Sequence, residues 1–227
     1  MMAVLLALLV AWEVRVVEAP PPDGVPAAIA KGLDAKAMEI RDGDATVMTL
    51  WLRKELPAKA TAEQIKNGLT ARELVEGSLV GMVKLPATWI DYRKQEIPAG
   101  LYTLRLAFQP DTGDHKGTAP HAEFLLLSPI ADDADPAERE AKAIVEASRK
   151  ATGGDHPAVM LLVPSSHAGD APKLTLGEPR RTHGASPPAD LARRPSSYDG
   201  AGADRLRQQR SAVTITHPSD TPPSAIS

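Results

Sequence analysis

IPAGLYTLRLAFQPDTGDHKGTAPHAEFLLL, Ile97 to Leu127, is the stretch whose reading decides the fold. Tyr102, Leu104, Leu106 and Phe108 alternate with Thr103, Arg105, Ala107 and Gln109, so a strand turns the first set to one side and the second to the other. Pro98-Ala99-Gly100 is the turn that enters this strand. Phe124 to Leu127 forms the next strand, stopped by Pro129. The polar run between them carries Asp111, Asp114, His115, His121 and Glu123. It is either a loop that joins two scaffold strands or a loop that works.

The same pattern continues outward. Asp42-Gly43 is a turn signal between two alternating runs, a hairpin. Glu76-Gly77 suggests a second strand-turn-strand, and Ser78–Leu85 is apolar enough to be buried on both faces. Trp89 to Ile97 alternates without interruption and reads as a shorter, more exposed strand. The residues around Ala27–Leu33 suggest a short helix, and residues 57–68 a loop or short helical piece. The best helix lies near 136–150, with Asp135 as its N-cap, Pro136 at the first helical position and Gly153 as its C-cap. Its apolar face is Ala141, Ile144, Val145 and Ser148. HPAVMLLVP (156–164) is one more short strand. Many short strands with one inserted helix predict a mainly β chain, an antiparallel β-sandwich of immunoglobulin-like or related Greek key type, over residues 36–177.

The chain has 227 residues, a formal net charge of −3, 43% hydrophobic and 4% aromatic residues, and no cysteine. The length allows one sizeable domain with appendages. Absence of cysteine excludes disulfides, thiolate metal sites and cysteine nucleophiles. The near-neutral charge gives no reason to expect a nucleic-acid partner. Ala3 to Trp12 is an apolar run too short to span a bilayer, which takes about 20 residues, and matches a signal-peptide core. Val17 and Ala19 give a loose cleavage pattern, so residues 1–19 read as a leader and the chain as exported, periplasmic or extracellular. No Lys or Arg precedes the run, and the alternatives are a mis-assigned start codon or a first buried strand, in a cytoplasmic protein. Residues 20–35 are a proline-rich linker and the short helix.

From Glu178 to Ser227 the composition changes. All seven basic residues there are arginines, beside five acidic ones. Pro, Ser, Ala and Gly dominate, and only Ala212–Thr216 has strand-like apolar content. A disordered tail, a shift of reading frame in GC-rich coding sequence, and an arginine-rich arm all fit that composition.

The blocks DYRKQEIPAGLYTLR, GDHKGTAP and SRKATGGDHPAV carry a resemblance over about residues 20–164. With them the chain resembles a group of exported bacterial proteins of unknown function. That resemblance implies a signal peptide and a β-sandwich-like domain, with further strands past the HPAV strand. It implies no established activity.

Carboxylates and imidazoles bind Zn²⁺, Mn²⁺ or Ca²⁺, so Asp114, His115, His121 and Glu123, with Asp155 and His156 ahead of the last apolar strand, are the metal candidates. They would serve a metal-dependent hydrolase. Asp and Gly also build turns without any ion. Trp89 and Tyr92, with Tyr102, are candidates for stacking on a sugar or peptide. No nucleotide-binding glycine loop, HExxH or nucleophile elbow occurs, and Ser165-Ser166-His167 is no triad. The motifs imply no cofactor. The sequence favours a non-enzymatic exported module that binds a surface polymer or a protein, with no transmembrane span.

Overall fold

The structure, a computed structural model, describes residues 12–67, 71–110 and 122–162. Nine strands and three α-helices follow in order: β1 (Trp12–Glu18), α1 (Ala27–Gly32), β2 (Leu33–Asp42), β3 (Ala45–Arg53), α2 (Ala62–Asn67), β4 (Leu79–Leu85), β5 (Trp89–Ile90), β6 (Glu96–Ile97), β7 (Gly100–Phe108), β8 (Glu123–Pro129), α3 (Ala141–Thr152) and β9 (Ala158–Leu161). A single 3-10 turn covers Ala71–Glu73. Seven strands form one antiparallel sheet in the order β1-β2-β3-β4-β7-β8-β9, and β5-β6 is a separate two-stranded hairpin. The mainly β antiparallel fold expected from the sequence is the fold observed. Its strand order is up-and-down, each strand lying beside the next in the chain apart from the β5-β6 excursion between β4 and β7, with no Greek key crossover among the described strands.

Local chemistry sets these boundaries. Asp42-Gly43 turns the β2-β3 hairpin as expected, with Gly43 at φ 60° and Asp42 paired to Ala45. Gly77 also has positive φ, and a Cβ there would stand 1.9 Å from the Arg139 carbonyl oxygen, so glycine is the only residue this contact admits. The residues before it form the 3-10 turn rather than the expected strand.

One apolar cluster lines the inner face of the sheet. It joins Ile40 of β2, Met48 and Leu50 of β3, Val83 and Leu85 of β4, Leu104 and Leu106 of β7, Leu125 and Leu127 of β8 and Met160 of β9. Outside the seven strands only Ile97 and Ala151 join its buried set, with Leu74, Trp89 and Leu162 packed against it. A face lined in this way by six of the seven strands is compatible with a β-sandwich made from a single curled sheet.

The outer face has two covers. Over β2-β3-β4, Ile29 of α1 packs with Leu33, Ala37, Trp51, Leu79 and Met82, flanked by Ala19 and Val25 of the proline-rich segment. Trp51 Nε1 donates to the Ala19 carbonyl at 2.8 Å. Over β7-β8, Ile144 of α3 packs with Ala107 and Leu126.

Three expectations change. The long helix begins after Glu140, not after Asp135. Residues 132–139 instead form an extended strap, because a buried arginine on β7 needs their carbonyls, as described below. Within the helix Ile144, Ala147, Ser148 and Ala151 are buried, whereas Ala141 is exposed. Gly153 is the left-handed C-cap, as expected. Finally, Trp12–Glu18, read from the sequence as part of a leader, forms β1 and pairs with β2 along its whole length. The apolar run before it, the loop 111–121 and the tail 178–227 lie outside the described residues.

Candidate binding surface

The expected single strand Trp89–Ile97 is a hairpin, β5 and β6 joined by a turn at Asp91–Gln95. Asp91 folds it. Its amide donates to the Gln95 carbonyl, and the Lys94 amide donates to the Asp91 carbonyl, both at 3.0 Å. Its side chain is buried, and Oδ1 accepts from the amides of Arg93 and Gln95, each at 2.8 Å. Oδ2 accepts from Gln95 Nε2 at 2.9 Å and from the Val159 amide of β9 at 3.1 Å. Gln95 Nε2 also donates to the Pro157 carbonyl at 2.9 Å. One carboxylate therefore closes the turn and fastens it to the edge of β9. The hairpin's other end is pinned by fully buried Ile97 and by the Tyr102 hydroxyl, which donates to the Pro98 carbonyl at 2.8 Å. Burial raises the Tyr102 hydroxyl pKa.

The turn presents Tyr92, Arg93 and Lys94 to solvent. Tyr92 is 37% exposed and, with Val16, one of two large hydrophobic side chains exposed among the described residues. Lys94 has φ 67°, a left-handed conformation that costs a side-chain-bearing residue about 1–2 kcal/mol. Neither Arg93 nor Lys94 makes an ion pair among the described residues. Trp89 is half-buried and leans on the inner core. Of the three stacking candidates, Tyr92 is free to act, Trp89 is partly available, and Tyr102 belongs to the core.

Three of the six metal candidates lie among the described residues. Glu123, at the start of β8, accepts from Arg72 Nε at 2.9 Å. Asp155 and His156 are exposed in the turn after α3, whose His156 carbonyl takes the Thr152 hydroxyl at 2.8 Å. Asp114, His115 and His121, with Asp111, lie outside the described residues. Among the described residues no three His, Asp or Glu side chains are placed to share an ion. The Gln95–Pro157 bond does bring the turn carrying His156 against the stacking hairpin.

Sequence reading missed a second polar constellation. Arg105 and Asp133 are both fully buried. Arg105 Nε and Nη2 donate to the two oxygens of Asp133 at 2.6 and 2.9 Å. Nη1 donates to the carbonyls of Gly77 and Ala137, each at 2.7 Å, and Nη2 also to that of Asp135. All five guanidinium N–H groups are used. Thr103 Oγ1 at 2.5 Å and Arg139 Nη1 at 2.9 Å complete the carboxylate. Burial pushes the Asp133 carboxyl up, but the bonds from Arg105 and Thr103, the Arg105 charge and the Arg139 bond outweigh it and hold the pKa below the ordinary value. The arrangement is sealed and saturated, which suits a structural tie. An open cleft of about 390 Å³ runs beside the strap, lined by Arg53, Leu56, Pro57, Pro136 and Glu138 among others. None of its lining residues is buried.

Comparison with protein-family models, with curated proteins and with solved structures finds no match to this chain.

Proposed function

We propose that the protein is a non-enzymatic, exported module that binds an extended surface polymer through the β5-β6 hairpin. One observation carries this reading: Tyr92 stands exposed on a turn locked by a buried carboxylate. A tyrosine face stacks on a sugar ring, and the amphipathic ring costs little conformational entropy to fix. Arg93 and Lys94 beside it suit a polymer that carries acidic groups. A small molecule is held by enclosure, and a protruding turn offers none, whereas a polymer needs only a rigid contact line. The absence of a catalytic motif in the sequence agrees with binding rather than turnover.

Export rests on the apolar run Ala3–Trp12 and on the resemblance to exported bacterial proteins. No helix among the described residues is long and apolar enough to cross a membrane. A leader cut after Ala19 would remove β1 and the carbonyl bound by Trp51. Any cut compatible with this fold therefore falls ahead of β1. N-terminal sequencing of the exported protein should find Trp12–Glu18 retained; a start at Pro20 contradicts this.

The binding test is co-sedimentation with insoluble peptidoglycan, chitin and cellulose. Wild type should pellet with at least one of them and Tyr92→Ala should not. Wild type staying in solution with all three, or both chains pelleting alike, would contradict the reading.

A further inference from the structure

The sheet has two edges, and they are treated differently. On β9 the outward amide of Val159 is taken by Asp91, and Gln95 holds Pro157, so the hairpin blocks that edge. On β1 no described element pairs with the outer side of Trp12–Glu18. An unblocked edge is a template for another strand. Its central side chains carry both charges: Arg15 Nη2 lies 2.6 Å from Glu13 Oε1, with both side chains about half exposed. Val16 is 52% exposed. The residue alternation places Val14 with the inner core and Val17 with the outer cover, so Glu13 and Arg15 share the outer side and Val16 the inner.

We propose that β1 pairs antiparallel with β1 of a second copy of this chain, in the register centred on Val14. A two-fold axis makes such contacts reciprocal. Only registers centred on a residue keep the inner side of one sheet continuous with the inner side of the other. Centred on Arg15, the two arginines face each other. Centred on Val16, Arg15 faces a valine and Val14 faces Glu18. Centred on Val14, each Arg15 faces Glu13 of the second copy. Of these three registers it alone sets Arg15 opposite a carboxylate, and directly opposed cross-strand pairs are the ones that count. The contact spans five residues per chain, so the dimer is weak and forms with rising concentration.

The test is sedimentation equilibrium of the full chain over a range of concentrations, with thermal melts to confirm folding. Wild type should pass from monomer toward dimer. Arg15→Glu sets like charges opposite each other and should weaken association at least about tenfold. The double variant Glu13→Arg/Arg15→Glu restores opposite charges and should recover it. Val16→Lys, which leaves the charge pair intact, should weaken it as well. A wild type that stays monomeric at every concentration overturns the proposal. If it does so while the amides of residues 12–16 resist exchange, the occupant of the edge is the chain itself. Dimerisation undiminished in Arg15→Glu or in Val16→Lys, or a double variant as weak as Arg15→Glu, overturns the register.

Discussion

Asp133 and Asp91 are both buried aspartates, 1% and 2% exposed, yet they are held in opposite ways. Asp133 is bound by two guanidinium groups and a hydroxyl. Among the described residues, Asp91 is bound by neutral N–H groups alone: three backbone amides and the Gln95 side chain. The difference follows what each has to fix. Asp133 joins a strap to the middle of a sheet, where Arg105 would otherwise be a buried, unpaired charge. Asp91 shapes a turn at the rim, where amides converge by themselves once the chain reverses. The ion-paired carboxylate secures the fold, and the neutral-bonded one presents a surface.

The ion-paired aspartate should show the larger effect. Asp133→Ala leaves Arg105 charged and buried, which costs about 3–5 kcal/mol. Urea unfolding should show a loss of that size, and the strap amides should exchange faster. A loss under about 1 kcal/mol would mean that the ion pair does not hold the strap.

Asp91→Ala should cost less, about 1–3 kcal/mol, because its orphaned donors sit at the rim where water reaches them. The Val159 amide should lose protection from exchange while the strap keeps its own. Equal loss in both places would erase the distinction between the two aspartates.

Acid offers a third probe. The folded pKa of Asp133 lies below its unfolded value. Its contribution is therefore present in full above the ordinary carboxyl range, about pH 4, and is lost as pH falls toward the folded value. Asp133→Asn should melt with a shallower decline in Tm below about pH 4 than wild type. Parallel declines would show that other carboxylates set the acid limit.

The smallest effect belongs to Tyr92. Tyr92→Ala should change stability by no more than about 0.5 kcal/mol, as an exposed side chain does. A larger loss would make Tyr92 part of the fold and not of a contact surface.

The sequence shows the strands well where alternation and turn glycines coincide. Tyr102 to Phe108, the Asp42-Gly43 hairpin and the Gly153 cap were all legible. The β5-β6 hairpin was hidden because Lys94 sits where a glycine or asparagine would have announced the turn. Arg105 was hidden because period-two alternation shows which side a residue faces, not whether that side is covered. Its partner lies 28 residues on, in a strap whose Asp135-Pro136 pair mimics a helix N-terminus. Trp89 and Tyr92 were visible as aromatics, but only the turn separates the exposed one from the half-buried one.

Amide chemical shifts of the protein, titrated with soluble fragments of whichever polymer it co-sediments with, test the hairpin as a contact surface held ready by Asp91. The largest shifts should fall within residues 89–97, and Asp91→Ala, while still folded, should bind the same fragments more weakly. Shifts centred on the cleft beside the strap, or undiminished affinity in Asp91→Ala, would contradict it.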